Sequence, residues 1–398
     1  MNFGDIKMFA SGAVWLTKLP VNLLKRSIGK DVPIKNDISW GEEKQDILER
    51  ANWLCDMVIQ EPAQVLKEMP AFLGPNYGGQ WAIYSCSMLT MALANISRIY
   101  PEEKQQSLER MAKLIEIVTS KELQYYDAMQ YKEYPLETLD GPKSHMSYIS
   151  ILAWMITNYK FTGGDGRFDD YLHACCEALN RRMLTSKDLN LPTFPNGIIF
   201  FPDMLVPIVA LKNYAKLYNG KYADIANQWL QKARTEWLHK GTGLLIGYIH
   251  PRRQSRPVRG SYTGLSCYYL TLVDEILARD QYEKMKLKMV KNAKIGTVTL
   301  RGIKEYLRKN PTFKFDPDAG PIVQGLSPSG TAFAIGSATY FQDWEFRSQL
   351  LRTAEIVGDT IKEKGKRHYH LGELAIVGEA TVLAMRTNVS RLYNVGHQ

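Results

Sequence analysis

"YISILAWMITNY" (148–159) has no polar face when wound as a helix. A helix of that kind has to be covered on every side by other elements. Five further stretches share the property: "WAIYSCSMLTMALANI" (81–96), "MLVPIVALKNYAKLY" (204–218), "YTGLSCYYLTLVDEIL" (262–277), "TAFAIGSATYF" (331–341) and "ELAIVGEATVLAM" (373–385). Six others carry one apolar stripe and one wet face: 42–59, 101–118, 167–184, 221–238, 279–293 and 343–361. The two kinds alternate along the chain, and strand-period patterns are nearly absent. Six buried helices alternating with six half-buried ones predict an all-α (α/α)6 toroid, with the apolar set as an inner ring.

The connections agree. Links from apolar to amphipathic helix are tight, as in "TGGDG" (162–166) and "NG" (219–220), whereas most return links are long. All the long loops therefore fall at one end and feed the starts of the inner helices. Free backbone N–H groups converge there, and a concave site at that mouth is the expected binding place. Residues 243–260 predict a short hairpin decorating that end, and 294–320 a second insertion carrying "TLRGIKEYLRKN". We expect an N-terminal extension over 1–36 and one toroid domain over 37–398.

Composition excludes several classes. Hydrophobic residues are 45% and charged residues 23% of the chain, as in ordinary globular proteins. The net charge of +9 is dispersed except for "RRQSRPVR" (252–259), and no nucleic-acid motif accompanies it. Five cysteines without CxxC or Cys/His spacing predict neither a zinc site nor a disulfide frame, so a reduced, cytoplasmic setting is expected. Residues 8–24, interrupted by Lys18 and Pro20, are too short to span a membrane. They are read as a packed helix or as a peripheral membrane contact. A homo-oligomer is compatible with the sequence.

Reading the mouth in order gives the candidate site. Tyr77 and Trp81 enter the first inner helix, His145 and Tyr148 the second, Asp203 the third, Arg259 and Tyr262 the fourth, and Glu373 the sixth. Asp203, in "FPNGIIFFPDMLVPIVALKNY" (194–214), is either a helix cap or an acid aimed into the site. Arg259 sits at a helix start, where the dipole disfavours a cation, so an anionic partner or ligand is expected. A carboxylate, a histidine and several tyrosines around a dry cavity suit acid–base chemistry, and no cofactor or metal is called for.

Four stretches, 144–164, 194–230, 247–282 and 320–343, resemble in order the linalool dehydratase/isomerase-like proteins, which are relatives in fold of the six-hairpin glycosidases. The resemblance implies catalysis without a cofactor on a small isoprenoid alcohol, with a histidine, a tyrosine, an aspartate and cysteines around the site. Tyr262 matches the tyrosine, and His145 or Tyr148 the histidine position. The cysteines have no counterpart, since none lies between Cys176 and Cys267; Thr193 and Pro202 or Asp203 stand near their places.

Three functions fit. One is a lyase, isomerase or hydratase acting on a partly apolar alcohol. Another is a carbohydrate-active enzyme, glycoside hydrolase or polysaccharide lyase, pairing Asp203 with a second carboxylate such as Asp127, Glu137 or Glu373, with Arg252–Arg259 favouring an acidic sugar. The third is an inactive toroid that binds a small molecule, an oligosaccharide or a partner protein.

Overall fold

The computed structural model describes residues 33–70, 74–254, 256–295, 297–308, 311–373 and 375–390. The expected membrane contact at 8–24 lies outside them. Among the described residues no helix is long and apolar enough to cross a membrane.

The chain alternates outer and inner helices. Outer α1 (Trp40–Val58) leads to inner α2 (Pro75–Ile99), then outer α3 (Lys104–Thr119) and an additional α4 (Lys121–Tyr131). Inner α5 (Met146–Thr162), outer α6 (Asp169–Thr185), inner α7 (Phe201–Leu217) and outer α8 (Ala223–Thr235) follow. Inner α9 (Gly260–Thr271), outer α10 (Glu275–Met289), inner α11 (Pro328–Tyr340), outer α12 (Trp344–Gly358) and inner α13 (Ile376–Arg386) complete it. Each inner helix packs on the next, and α13 returns to α2. The fold is an (α/α)6 toroid, and the inner ring is the predicted one. Met146 to Tyr159 on α5 is buried without a break, as an apolar face all round requires.

Several boundaries differ from the expectations. The fourth apolar stretch ends at Thr271, because Asp274 accepts the Leu277 N–H at 3.0 Å and starts the next helix. Thus 275–277 belong to the outer ring. The helices expected over 279–293 and 343–361 stop at Met289 and Gly358, where strands begin. The insertion is two antiparallel pairs: β3 (Val290–Ile295) with β4 (Val298–Ile303), and β5 (Phe313–Asp316) with β6 (Gly320–Val323). Ala293, Val298 and Leu300 are buried on one side of the first pair, the alternation a half-covered sheet requires. Strand β2 (Tyr248–Ile249) pairs with β1 (Ile199–Phe200) in the loop before α7, not within 243–260. A last pair, β7 (Thr360–Glu363) and β8 (Lys366–Tyr369), lies between α12 and α13.

One close approach shapes the mouth. A Cβ on Gly264 would lie 2.8 Å from the Gly330 carbonyl oxygen, and one on Gly330 would lie 2.8 Å from the Gly260 carbonyl carbon. The starts of α9 and α11 therefore touch backbone to backbone, which only glycine permits.

Candidate active site

Asp203 is the third residue of α7, not its cap. Phe200 holds the cap position without a side-chain bond, and Pro202 has no N–H to cap. The Phe201 N–H is taken by the Gly247 carbonyl at 2.9 Å. The carboxylate turns instead to side chains. Tyr84 donates its hydroxyl to Oδ1 at 3.2 Å, and Thr193 donates to Oδ2 at 3.1 Å. Burial raises the Asp203 carboxyl to about 6; the two bonds moderate the rise, and the charge of Asp318 adds to it.

Asp318, in the β5–β6 turn, is the second carboxylate at this mouth. It accepts the Tyr262 hydroxyl at 2.8 Å and its side chain is 46% exposed. Tyr262 is buried, and burial first, then Asp318, pushes its phenol well up. Its ring stands edge-on to Phe200 at 5.8 Å and to Tyr248 at 6.4 Å, so β1 and β2 supply an aromatic wall.

Arg259 explains how a cation sits at a helix start. Its Nε donates to Glu305 at 2.5 Å, Nη2 pairs with Asp316 at 2.8 Å, and Nη1 reaches the Tyr262 hydroxyl at 3.2 Å and Asp318 at 3.7 Å. Glu305, fully buried, also accepts the Ser261 N–H at 3.0 Å and hydroxyl at 2.9 Å, so it caps α9 from outside the helix. The expected anionic partner is thus three protein carboxylates.

Tyr77, Trp81 and Tyr84 stand at i, i+4 and i+7 on α2 and form one stripe. Tyr84 meets Asp203. Tyr77 is 37% exposed, and burial with the charges of Asp318 and Asp316 raises its phenol. Trp81 is half-buried against the core.

The other candidates are placed elsewhere. His145 is a fully buried left-handed residue at the cap of α5. Its Nδ1 pairs with Asp127 of α4, and its Nε2 lies 3.2 Å from Glu133. Tyr148, also fully buried, donates to the Val118 carbonyl at 2.7 Å and faces α3. Glu373, before α13, lies 3.3 Å from the Nε2 of His368, whose ring stacks on Trp53. All five cysteines are free and buried, and burial raises the thiols of Cys86 and Cys175 to about 12. The sulfur chemistry implied by the resemblance therefore has no thiolate here.

Tyr84, Asp318, Asp316 and Glu305 were absent from the sequence reading. "FDPDAG" (315–320), two carboxylates and a glycine in a loop leading to an inner helix, is the signal that could have found the second acid.

No family model matches the chain, and no curated protein matches it. Solved structures do. An inactive variant of an α-1,6-mannanase from a Salegentibacter species, in complex with α-1,6-mannotriose, is 10% identical over 87% of this chain and 100% of that one, with a TM-score of 0.53. A second inactive variant of the same mannanase, with a bound mannotetraose, is 11% identical over 88% of this chain and 100% of that one, again at 0.53. A family 105 glycoside hydrolase of C. acetobutylicum is 11% identical over 76% of this chain and 93% of that one, at 0.48. The feature shared with the mannanase is the (α/α)6 toroid.

Proposed function

We propose that this chain is a carbohydrate-active enzyme, a glycoside hydrolase with Asp203 as general acid and Asp318 as its carboxylate partner. One observation carries the reading: two carboxylates from different elements, near enough for the charge of Asp318 to act on Asp203, stand in opposite surroundings. Asp203 is partly buried between two hydroxyls and raised to about 6, so it keeps its proton well above the usual carboxylate range. Asp318 is half in water, accepts a phenol O–H and stands beside a guanidinium. Two acids so differentiated are what glycoside hydrolysis uses. Asp203 would protonate the departing glycosidic oxygen while Asp318 activates water or bonds to the anomeric carbon. Tyr77 and Trp81 offer faces for sugar rings.

The test is turnover of an oligosaccharide panel that includes α-1,6-mannotriose, with products read by mass spectrometry. Asp203→Asn and Asp318→Asn should each lower the rate at least about a hundredfold, the low end for an acid–base residue. A panel on which nothing is cleaved or bound, or full rates in both variants, overturns the assignment.

A second reading, a cofactor-independent lyase or hydratase on a partly apolar alcohol, draws on Tyr262 at the position the family resemblance assigns to its tyrosine and on the apolar socket of Asp203. Dehydration of a terpenoid alcohol, with no saccharide turned over, would decide for it.

A further inference from the structure

We infer that the sugar unit seated between Asp203 and Asp318 carries no negative charge: this mouth selects neutral or amino-bearing sugars and rejects uronates. The inference rests on the hydrolase reading and names the substrate class of that site. Three carboxylates, Glu305, Asp316 and Asp318, surround one guanidinium. One positive against three negative charges leaves an excess of two negative charges before Asp203 is counted.

Each nitrogen of the guanidinium already faces a protein oxygen. Its Nε is taken by Glu305, Nη2 by Asp316 and Nη1 by Tyr262 and Asp318, and its side chain is 15% exposed. A uronate needs a charged fork with two free donors, and here both terminal nitrogens already face protein carboxylates, Asp316 and Asp318. The other nearby cation, Lys314, is exposed and bonds the Tyr306 hydroxyl at 2.8 Å. Arg252 and Arg253 are exposed on the loop after β2, where solvent and salt screen them. The expectation that Arg252–Arg259 favour an acidic sugar is thereby reversed at the residue nearest the site.

Calorimetric binding to Asp318→Ala is unsuitable, because it removes one of the three charges. Asp203→Asn keeps all three and stops turnover. On that variant, a neutral mannotrioside should bind at least about a hundredfold tighter than a trisaccharide of uronic acid, the factor one like charge at about 6 Å yields at an effective dielectric near 20. A glucosamine trimer should bind at least as tightly as the neutral one. Raising salt from about 0.05 to about 0.5 M should narrow the uronate gap and leave neutral binding unchanged. Adding Asp316→Asn frees Nη2 and should raise uronate affinity about tenfold.

Uronate binding as tight as neutral binding overturns this inference and leaves the hydrolase reading standing. Binding of no saccharide of any charge overturns both. Should Asp316→Asn fail to fold, the salt dependence on the first variant still decides.

Discussion

Replacing Asp203 by Asn should make the protein more stable at neutral pH and nearly inactive. The carboxyl is raised from 3.8 to about 6. At about 1.4 kcal/mol per pH unit, the charged form costs about 3 kcal/mol relative to the unfolded chain. The sign follows from linkage. The folded state holds this proton more tightly, so the group supports folding fully below about pH 4, and that support is lost as pH rises through about 6. Asn carries no charge to desolvate, and its oxygen still accepts from Tyr84 or Thr193, but its NH₂ requires the other hydroxyl to turn from donor to acceptor and lose its bond to a carboxylate. That mismatch costs about 1 kcal/mol or more, so the net gain at pH 7.5 should be about 1–2 kcal/mol, shrinking towards zero or below at pH 4. Urea unfolding of both proteins at the two pH values measures it, with equal m-values as the condition for comparison. A variant that is less stable at pH 7.5, or whose gain does not change with pH, refutes the buried-acid account whatever happens to turnover.

Arg259→Lys should fail to rescue Arg259→Ala, because one ammonium cannot satisfy Glu305, Asp316 and Tyr262 at once; limited proteolysis within 313–323 should accelerate in both, and unchanged cleavage would show the insertion is held by other contacts. The five buried cysteines should resist a thiol reagent in the native protein. Cys267→Ser should keep full turnover of whatever substrate is found, and loss of turnover would return sulfur to the mechanism. Arg347→Ala should cost about 1.5–3 kcal/mol, the loss of its charge-assisted bonds to Glu43, which Arg386 still pairs. Burial opposes ionisation of Glu43, but Arg347 and Arg386 hold it down at about 2, so its contribution is complete above about pH 4.5 and is lost as pH falls towards 2. Denaturation curves between pH 7 and 3 that run parallel for the two proteins would contradict this.

The rings were legible because burial leaves a plain signature: no polar face for the inner helices, one for the outer. Asp203 was legible because it is the one acid in an apolar stretch. The rest depended on partners remote in the chain. Nothing in "VRGSY" announces that Glu305, some 46 residues on, will meet Arg259. The partner of His145, Asp127, lies on α4, which the sequence hides: "KELQYYDAMQY" has weak periodicity and few aliphatic residues. Tyr84 was passed over because it lies a full turn past the helix entry, where the stripe from Tyr77 had only to be continued.

The toroid also has a seam. Arg347 on α12 pairs with Glu43 on α1 at 2.8 Å, Arg386 on α13 pairs with Glu43 at 2.9 Å, and buried Arg50 on α1 meets buried Glu379 on α13 at 2.7 Å. These partners are 304, 343 and 329 residues apart. On a ribosome, α1 can pack on α2 early but waits for nearly the whole chain before its partners on α12 and α13 emerge. An apolar edge left open that long would invite other nascent chains to stick to it. Glu43 and Arg50 on the waiting edge are instead hydrated until their partners arrive, so the charge that closes the ring also keeps the half-made ring apart from its neighbours.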